Sequence, residues 1–148
     1  MEIICHKLGA TESAALKQLV QLYASVFEME DFKIPDNDYL QSLLEKESIS
    51  FFVATDASGQ VLGGLTAYML PSVYYTACEV YIYDLAVDQQ WQRKGIGRKL
   101  IDSLKQFCKG LGCRYIFVQA DLEDQHAIDF YHATGGLREE VVHFDYRL

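Results

Sequence analysis

The chain has 148 residues, half of them apolar, with a formal net charge of −8 and four cysteines. This length and composition predict a single domain over residues 1–148, and the longest apolar runs are too short to cross a bilayer. The acidic balance opposes nucleic-acid binding and suits a cationic partner, although ordinary solubility charge is the simpler explanation. The cysteines lack metal-ligand spacing, and no signal-peptide pattern opens the chain. We therefore expect a cytoplasmic protein without a bound metal.

The first third of the chain has the pattern of one strand followed by two amphipathic helices. Residues 3–8 predict a strand near a sheet edge. Thr11 is a suitable N-cap for a helix over residues 12–27, and Asp36 or Asn37 begins a second helix that ends at Glu45. Apolar side chains at helical spacing predict the buried faces of these helices: Leu16, Leu19, Val20, Tyr23, Phe27, Tyr39, Leu40, Leu43 and Leu44.

A hairpin and a long central strand come next. Residues 49–55 and 61–70 are rich in β-branched and aromatic side chains, and residues 78–87 form a further apolar run. These three runs predict strands, the first two joined by a tight turn. Gly63 and Gly64, inside the second strand, indicate a bulge or a close approach of another backbone.

A basic turn with two glycines links the central strand to a helix that begins near Ile96. Six of the thirteen Lys and Arg residues lie between Arg93 and Lys109. A helix N-terminus offers free amides and a positive dipole, and glycine admits an anion close to the backbone. The alternative is a purely structural turn. Because the spacing matches neither a Walker loop nor a dinucleotide fingerprint, a different phosphate-bearing ligand is predicted.

The last part of the chain predicts a strand, a helix and a final strand. Residues 115–120 form another buried strand, and residues 124–134 form a helix with Tyr131 among its inward side chains. Residues 139–146 predict the last strand. Helices that interrupt a mostly antiparallel meander place the chain in the α/β class.

Two motifs resemble those of the GNAT N-acetyltransferases. Gln92-x-x-Gly95-x-Gly97 after Asp84-Leu85-Ala86-Val87 is similar to the acyl-CoA motif of that family, and Ala127-x-x-Phe130-Tyr131 before Gly135 is similar to its second motif. Over residues 36–146 the chain more closely resembles the type I aminoglycoside 3-N-acetyltransferases. That closer resemblance is carried by Asp38-Tyr39-Leu40, Ala67-Tyr68-x-Leu70-Pro71, Glu79-x-Tyr81-Ile82-Tyr83-Asp84-Leu85-Ala86-Val87, Val118-Gln119-Ala120-Asp121 and Arg138-Glu139-Glu140-Val141-x-His143-Phe144-Asp145.

The resemblance implies the GNAT acyl-CoA N-acyltransferase fold. In that fold a mixed, mostly antiparallel sheet is flanked by about four helices, and two central strands splay apart. Acetyl-CoA, the cosubstrate, would lie between the strands that end near Val87 and Ala120. The residues that would bind it are Leu85, Ala86, Val87, Gln92, Arg93, Lys94, Gly95, Ile96, Gly97 and Arg98.

Four residues are candidates for the chemistry of acetyl transfer to an amine. The amine must lose a proton, and the leaving thiolate benefits from gaining one. Asp84 is the first candidate base or orienting group, because burying an acid in an apolar strand costs free energy and indicates a function. Glu79 and Asp121, at the ends of the two strands that border the slot, are next. The resemblance places Tyr131 beside the sulfur as proton donor. A structural acid and a core aromatic are the alternative interpretations of Asp84 and Tyr131.

The acceptor is expected to be a small cationic amine held by carboxylates. The candidate residues for holding it are Asp121, Glu139, Glu140 and Asp145. The resemblance implies acetylation of an aminoglycoside, at its 3-amino group, by direct attack on the thioester, giving antibiotic resistance. The alternatives are acetylation of another polyamine or a protein amine, and a non-catalytic acyl-CoA sensor. A two-fold homodimer is the default expectation for assembly.

Overall fold

Five strands and four helices make up the fold. The computed structural model describes residues 1–148. In chain order its elements are β1 (Ile4–Lys7), α1 (Ser13–Val26), α2 (Asn37–Leu44), β2 (Ile49–Thr55), β3 (Val61–Pro71), β4 (Cys78–Val87), α3 (Ile96–Gly110), β5 (Ile116–Val118) and α4 (Gln125–Ala133). A short 3₁₀-helix, Gln89–Trp91, joins β4 to α3. None of the helices combines the length and the apolar character that a membrane span requires. The predicted α/β class with four helices is confirmed.

The sheet has the strand order β1-β2-β3-β4-β5. The first three pairings are antiparallel and only β4 and β5 run parallel, so the sheet is mixed and mostly antiparallel as predicted. The parallel pair requires a crossover connection, which α3 provides. Because α3 follows the glycine turn directly, the crossover brings the basic helix N-terminus to the end of β4.

The helices cover both faces of the sheet and create two cores. On one face, α1 and α2 bury Leu16, Leu19 and Leu40 against β2 and β3. On the other face, α3 buries Leu100 and Leu104 against β2, β3 and β4. Strands covered on both sides carry continuous apolar runs, which explains why the central strands are easy to recognise in the sequence.

The helix starts are as predicted at α2 but not at α1. Asp36 caps α2, because its carboxylate accepts a hydrogen bond from the Tyr39 amide at 2.9 Å. Thr11 is not the cap of α1. Glu12 occupies that position, and its carboxylate accepts instead from the Gly9 amide at 2.7 Å. Two side chains predicted as buried are exposed, Tyr39 by 54% and Phe27, which follows the last residue of α1, by 42%.

Both interpretations of Gly63 and Gly64 are confirmed. The pairing of β2 with β3 shifts register beside Gly63, so a bulge occurs there. A Cβ on Gly64 would lie 2.6 Å from the Phe52 carbonyl oxygen, and one on Gly63 would lie 2.9 Å from the Ala86 carbonyl oxygen. Only glycine therefore permits this packing of β3 between its neighbours and α1.

The predicted final strand, residues 139–146, is absent. No backbone hydrogen bond involves residues 137–148, and every residue of this segment is exposed. The prediction from composition was wrong for the isolated chain because a strand also needs a partner edge, and this segment pairs with none in its own chain.

Candidate active site

A slot opens between β4 and β5. The two strands pair at only three positions, Val80 with Ile116, Tyr81 with Phe117 and Ile82 with Val118. Beyond this point β4 continues to Val87 and remains paired with β3 alone. At a rise of about 3.3 Å per residue, the five further residues leave roughly 16 Å of unpaired strand edge. An extended ligand can bind such an edge as an additional strand.

A β-bulge at Tyr83 turns Asp84 toward the face covered by α1 and α2. Ile82 pairs with Ala67 and Asp84 pairs with Thr66, so Tyr83 is the additional residue. Before the bulge Ile82 packs toward α3, and after it Leu85 does so. The alternation of side chains is therefore inverted at the mouth of the slot. Bulges often re-aim a side chain beside an active site.

Asp84 is a half-buried carboxyl without a cationic partner. Burial raises the pKa of Asp84 above its ordinary value, and the neighbouring Thr66 hydroxyl offsets part of that rise. The Thr66 Oγ1 atom is also 2.9 Å from the hydroxyl oxygen of buried Tyr23. No Lys, Arg or His side chain forms an ion pair with Asp84. A carboxyl of this kind is suited to receive a proton from, or to orient, a cationic amine.

Tyrosines form a wall beside Asp84 that the sequence interpretation missed. The ring of Tyr83 makes edge contacts with Tyr68 at 5.6 Å and with Tyr81 at 5.9 Å between centroids. Tyr81 stacks on Phe117 at 4.8 Å, so the wall crosses from β3 over β4 to β5. Aromatic faces next to a carboxylate favour a cationic ligand. In the sequence this wall is indicated only by the alternating Tyr81 and Tyr83. That pattern becomes informative once Tyr68 is known to pair with Tyr81 across the two strands.

Glu79 and Asp121 lie on either side of this region without joining Asp84. Glu79 is near the start of β4, where its carboxylate accepts a hydrogen bond from the Tyr75 hydroxyl at 2.8 Å. Five residues separate it from Asp84, about 16 Å along the strand, so both acids cannot contact one nitrogen atom. The catalytic role of Glu79 stays a prediction. Asp121 follows β5 and is exposed in the loop before α4.

The remaining predicted acceptor residues are on the exposed C-terminal segment. Glu140 is 3.8 Å from Arg138, and Asp145 is 2.9 Å from His143. These contacts are local, and none of the three acids, Glu139 included, touches Asp84. Within one chain the structure therefore does not assemble the predicted set of acceptor carboxylates.

The glycine turn presents free backbone amides. Gly95 is the N-cap of α3, has φ +80° and supplies no capping side chain. The first hydrogen bond into the turn runs from the Lys99 amide to the Gly95 carbonyl at 3.1 Å. Helix geometry leaves the amides of Ile96, Gly97 and Arg98 without an intrahelical acceptor. A Cβ on Gly95 would meet no atom within 4 Å, so Gly95 itself borders open space.

Gly97 has a different reason to be glycine. A Cβ there would lie 2.7 Å from Cε1 and 2.9 Å from Cζ of Phe130. Gly97 thus allows α4 to pack against the first turn of α3. Both glycines were expected to be needed for the approach of an anion. This stays a hypothesis for Gly95, whereas packing against Phe130 is sufficient to explain why residue 97 is glycine.

The basic side chains near the turn divide into two groups. Arg93, Lys94 and Lys99 form no ion pair, and Lys94 lies 4.5 Å above the Trp91 ring. Arg98 instead donates to the Ala133 carbonyl at 2.6 Å, at the C-terminal end of α4.

Gln92 serves to anchor the turn. Its side-chain amide donates to the Val87 carbonyl at 3.0 Å and so ties the turn to the end of β4. The unpaired cations, the free amides and the open strand edge together fit an extended ligand that carries a diphosphate.

Tyr131 is a half-buried tyrosine on α4. Its ring contacts Phe130 at 5.2 Å between centroids, and its hydroxyl forms no hydrogen bond within the protein. Burial, with a smaller contribution from Asp124, raises the pKa of Tyr131 to about 12. The hydroxyl is therefore protonated at neutral pH and available as a donor.

The slot beside the central strand and the glycine turn at the start of α3 have a shape and charge that suit an acyl-CoA-like ligand. The chain belongs to the acetyltransferase (GNAT) family, whose model matches residues 16–135. Members of this family use acetyl-CoA. No group of three or more His, Cys, Asp or Glu side chains is arranged to hold a metal ion.

Solved structures of similar proteins agree with this assignment. An aminoglycoside acetyltransferase, meta-AAC0020 from an uncultured soil metagenomic sample, crystallised with sisomicin, is 43% identical over 99% of this chain and 96% of its own, with a TM-score of 0.95. A second such enzyme, HMB0005 from an uncultured soil metagenomic sample, is 37% identical over 100% of this chain and 99% of its own, with a TM-score of 0.93. No curated protein sequence matches the chain.

Proposed function

We propose that the protein transfers an acetyl group from acetyl-CoA to the 3-amino group of an aminoglycoside, acts in the cytoplasm and confers resistance. The observation that carries this proposal is the position of Asp84, an unpaired half-buried acid at the point where β4 and β5 separate. The sisomicin complex of a relative that is 43% identical supports the class of acceptor. The net charge of −8 is favourable for a polycationic substrate.

The cosubstrate is bound along β4 and at the start of α3. The edge of β4 at Leu85, Ala86 and Val87 pairs with amides of the cosubstrate arm, in the manner of an added strand. Backbone amides from Ile96 to Arg98 hold the diphosphate. The side chains of Arg93, Lys94 and Lys99 neutralise its charge.

The chemistry needs one base and one acid. The acceptor amine reaches Asp84 as an ammonium ion and loses a proton to its carboxylate, directly or through a water molecule. The nitrogen then attacks the thioester carbonyl carbon, so that a C–N bond forms as the C–S bond breaks, and the nitrogen releases its second proton to water. The departing sulfur takes a proton from the Tyr131 hydroxyl, which regains one from water. The raised pKa of Asp84 makes it a stronger base than an exposed aspartate.

The other amino groups of the acceptor lie along the aromatic wall. Tyr68, Tyr81 and Tyr83 offer ring faces to ammonium groups and to the sugar rings between them. Asp121 contributes a carboxylate from the β5 side of the slot. Glu139, Glu140 and Asp145 add further negative charge if the C-terminal segment reaches this face.

The test is acceptor-dependent thiol release from acetyl-CoA with aminoglycosides, polyamines and peptides. We expect turnover with aminoglycosides, and the Asp84→Asn variant should be slower by about 100-fold or more. Asp102→Asn, which changes an exposed aspartate on α3, is the matched control and should retain normal rates. Turnover with polyamines or peptides but not with aminoglycosides would mean that the acceptor is not an aminoglycoside. Tight CoA binding without any acceptor-dependent release would indicate a sensor.

Two further measurements address the position of acetylation and the biological role. The NMR spectrum of the purified product identifies the acetylated nitrogen, and modification of any amine other than the 3-amine contradicts that part of the proposal. Expression in a susceptible bacterium should raise the inhibitory concentration of the accepted aminoglycosides. Expression of the Asp84→Asn variant should not.

A further inference from the structure

Two buried hydroxyl groups lie behind the Asp84 carboxyl. Thr66 stands between two apolar residues of β3 and is 5% exposed, and Tyr23 on α1 is 6% exposed. Burying a hydroxyl costs free energy unless it is hydrogen-bonded. A valine and a phenylalanine would fill the same space at little or no cost, so packing does not explain why both hydroxyls are present.

The two hydroxyls and the carboxyl form one continuous chain. The Tyr23 hydroxyl oxygen is 2.9 Å from Thr66 Oγ1. Thr66 pairs directly with Asp84 across β3 and β4, and such partners have Cβ atoms about 4.5–5.5 Å apart on the same face of the sheet. Burial raises the pKa of Asp84, and a hydrogen bond from Thr66 lowers it again in part. The chain therefore runs from Tyr23 through Thr66 to Asp84 at the mouth of the slot.

The donors and acceptors of this chain can be assigned. An ionised carboxylate only accepts, so the single Thr66 proton is donated to Asp84. The Thr66 oxygen then accepts from Tyr23, whose hydroxyl has no other partner in the protein. Burial raises the pKa of Tyr23 well above its ordinary value of 10.0, so this hydroxyl remains protonated. Reversing the chain would leave the Tyr23 proton without an acceptor, and the arrangement therefore favours the ionised form of Asp84.

No other group around Asp84 changes its charge in the acid range. The titratable side chains grouped around it are tyrosines: Tyr23 from α1, Tyr39 from α2, Tyr68 from β3, and Tyr81 and Tyr83 from β4. Burial raises the pKa of Tyr23, Tyr68 and Tyr81 above 10.0, and the Asp84 charge adds to the rise. Because no Lys, Arg or His side chain forms an ion pair with Asp84, burial and the Thr66 hydroxyl are the two influences on its pKa.

We propose that Thr66 and Tyr23 are positioning residues: Tyr23 fixes the Thr66 hydroxyl, and Thr66 holds Asp84 ionised and directed into the slot between β4 and β5. This inference rests on the role of Asp84 in the proposed function. The chain offsets part of the cost of burying the charge, so the protein presents a carboxylate to the arriving ammonium ion. Because both hydroxyls are buried behind Asp84, neither contacts the acceptor nor gives up a proton in the reaction.

The first test needs no substrate. Titration of the Asp84 carboxyl carbon by NMR in the unliganded protein gives its pKa directly. Thr66→Val should raise the pKa of Asp84, Tyr23→Phe should raise it less, and Thr66→Ser, which keeps the hydroxyl, should leave it native. Thr55→Val, which removes the hydroxyl of a threonine that is 8% exposed on β2, is the matched control. An unchanged titration in Thr66→Val overturns the proposal, and one in Tyr23→Phe excludes Tyr23 from it.

A double variant separates positioning from folding. Thr66→Val leaves the Tyr23 hydroxyl buried without a partner, so it should lower the urea midpoint of unfolding. Adding Tyr23→Phe removes that hydroxyl as well and should restore much of the stability. The double variant should nevertheless keep the raised pKa of Asp84, because the hydrogen bond from Thr66 is still missing. Recovery of both the stability and the native titration would mean that the two residues only pack, which overturns the proposal.

The kinetic test connects the chain to acetyl transfer. In the proposed mechanism the acid limb of kcat/KM reports the ionisation of Asp84, and a limb displaced between variants belongs to the protein because the acceptor is the same. Thr66→Val should move this limb to higher pH and lower kcat by about 10-fold or more, with an unchanged KM for acetyl-CoA. Thr66→Ser should restore both. A lower kcat with an unmoved limb contradicts positioning by Thr66. An NMR titration that shifts without any change in the kinetics would instead refute Asp84 as the base, and with it the proposed function, while the hydrogen-bond chain stands.

Discussion

Helix α4 packs against the first turn of α3 where Phe130 lies over Gly97, and Gly97→Ala tests this contact directly. The added Cβ would lie 2.7 and 2.9 Å from two ring carbons of Phe130, closer than carbon atoms normally approach. The ring has little freedom to withdraw, because it packs against the core and against Tyr131. Overpacking of this kind costs about 1–3 kcal/mol, and the better helix propensity of alanine returns at most about 1 kcal/mol. We expect a net loss of about 1–2 kcal/mol.

The loss is measured by urea denaturation and by thermal unfolding. For a chain of this size it corresponds to a fall in Tm of about 3–8 °C. The decisive measurement is a double-mutant cycle with Phe130→Leu, which removes the ring atoms and should reduce the cost of Gly97→Ala by about 1 kcal/mol. Gly95→Ala is the matched control. Its Cβ meets no neighbour and its cost arises from φ +80°, so it should show no coupling to Phe130. Absence of coupling between positions 97 and 130 would refute the packing argument.

Two further predictions concern the reacting groups. Tyr131→Phe should slow acetyl transfer by about 100-fold with little change in stability, because the hydroxyl forms no hydrogen bond in the protein. The rate is measured by single-turnover kinetics, with Tyr74→Phe as the control. A loss of stability without a loss of rate would mean that Tyr131 is only a core residue. Asp84→Asn should increase the free energy of unfolding at pH 7, measured against Asp102→Asn. Folding raises the pKa of the Asp84 carboxyl above its ordinary value of 3.8, so the protein loses stability as the pH rises from that value through the pKa in the folded state. Asparagine carries no charge, and the variant therefore does not suffer this loss. Equal stability of native and variant chains at pH 7 would contradict the burial of Asp84.

Much of the fold was predictable because its signals are local. Helix α3 has apolar side chains at helical spacing, and β2, β3 and β4 are apolar runs separated by turn residues. The basic glycine turn was predictable for the same reason, since Gly95 and its basic neighbours are contiguous in the sequence. Asp84 was conspicuous as an acid within an apolar strand. Each of these features depends on residues within a few positions of one another.

The amino-acid sequence by itself therefore determined the order of the elements, the site of the glycine turn and the candidate base and acid. The tertiary structure alone decided how they meet: the register shift at Tyr83 that turns Asp84 toward α1, the alignment of Tyr68 with Tyr81, and the contact of Gly97 with Phe130. It also decided that residues 139–146 have no partner within their own chain. These features depend on pairing and packing between residues distant in sequence, and local propensity does not specify such pairs.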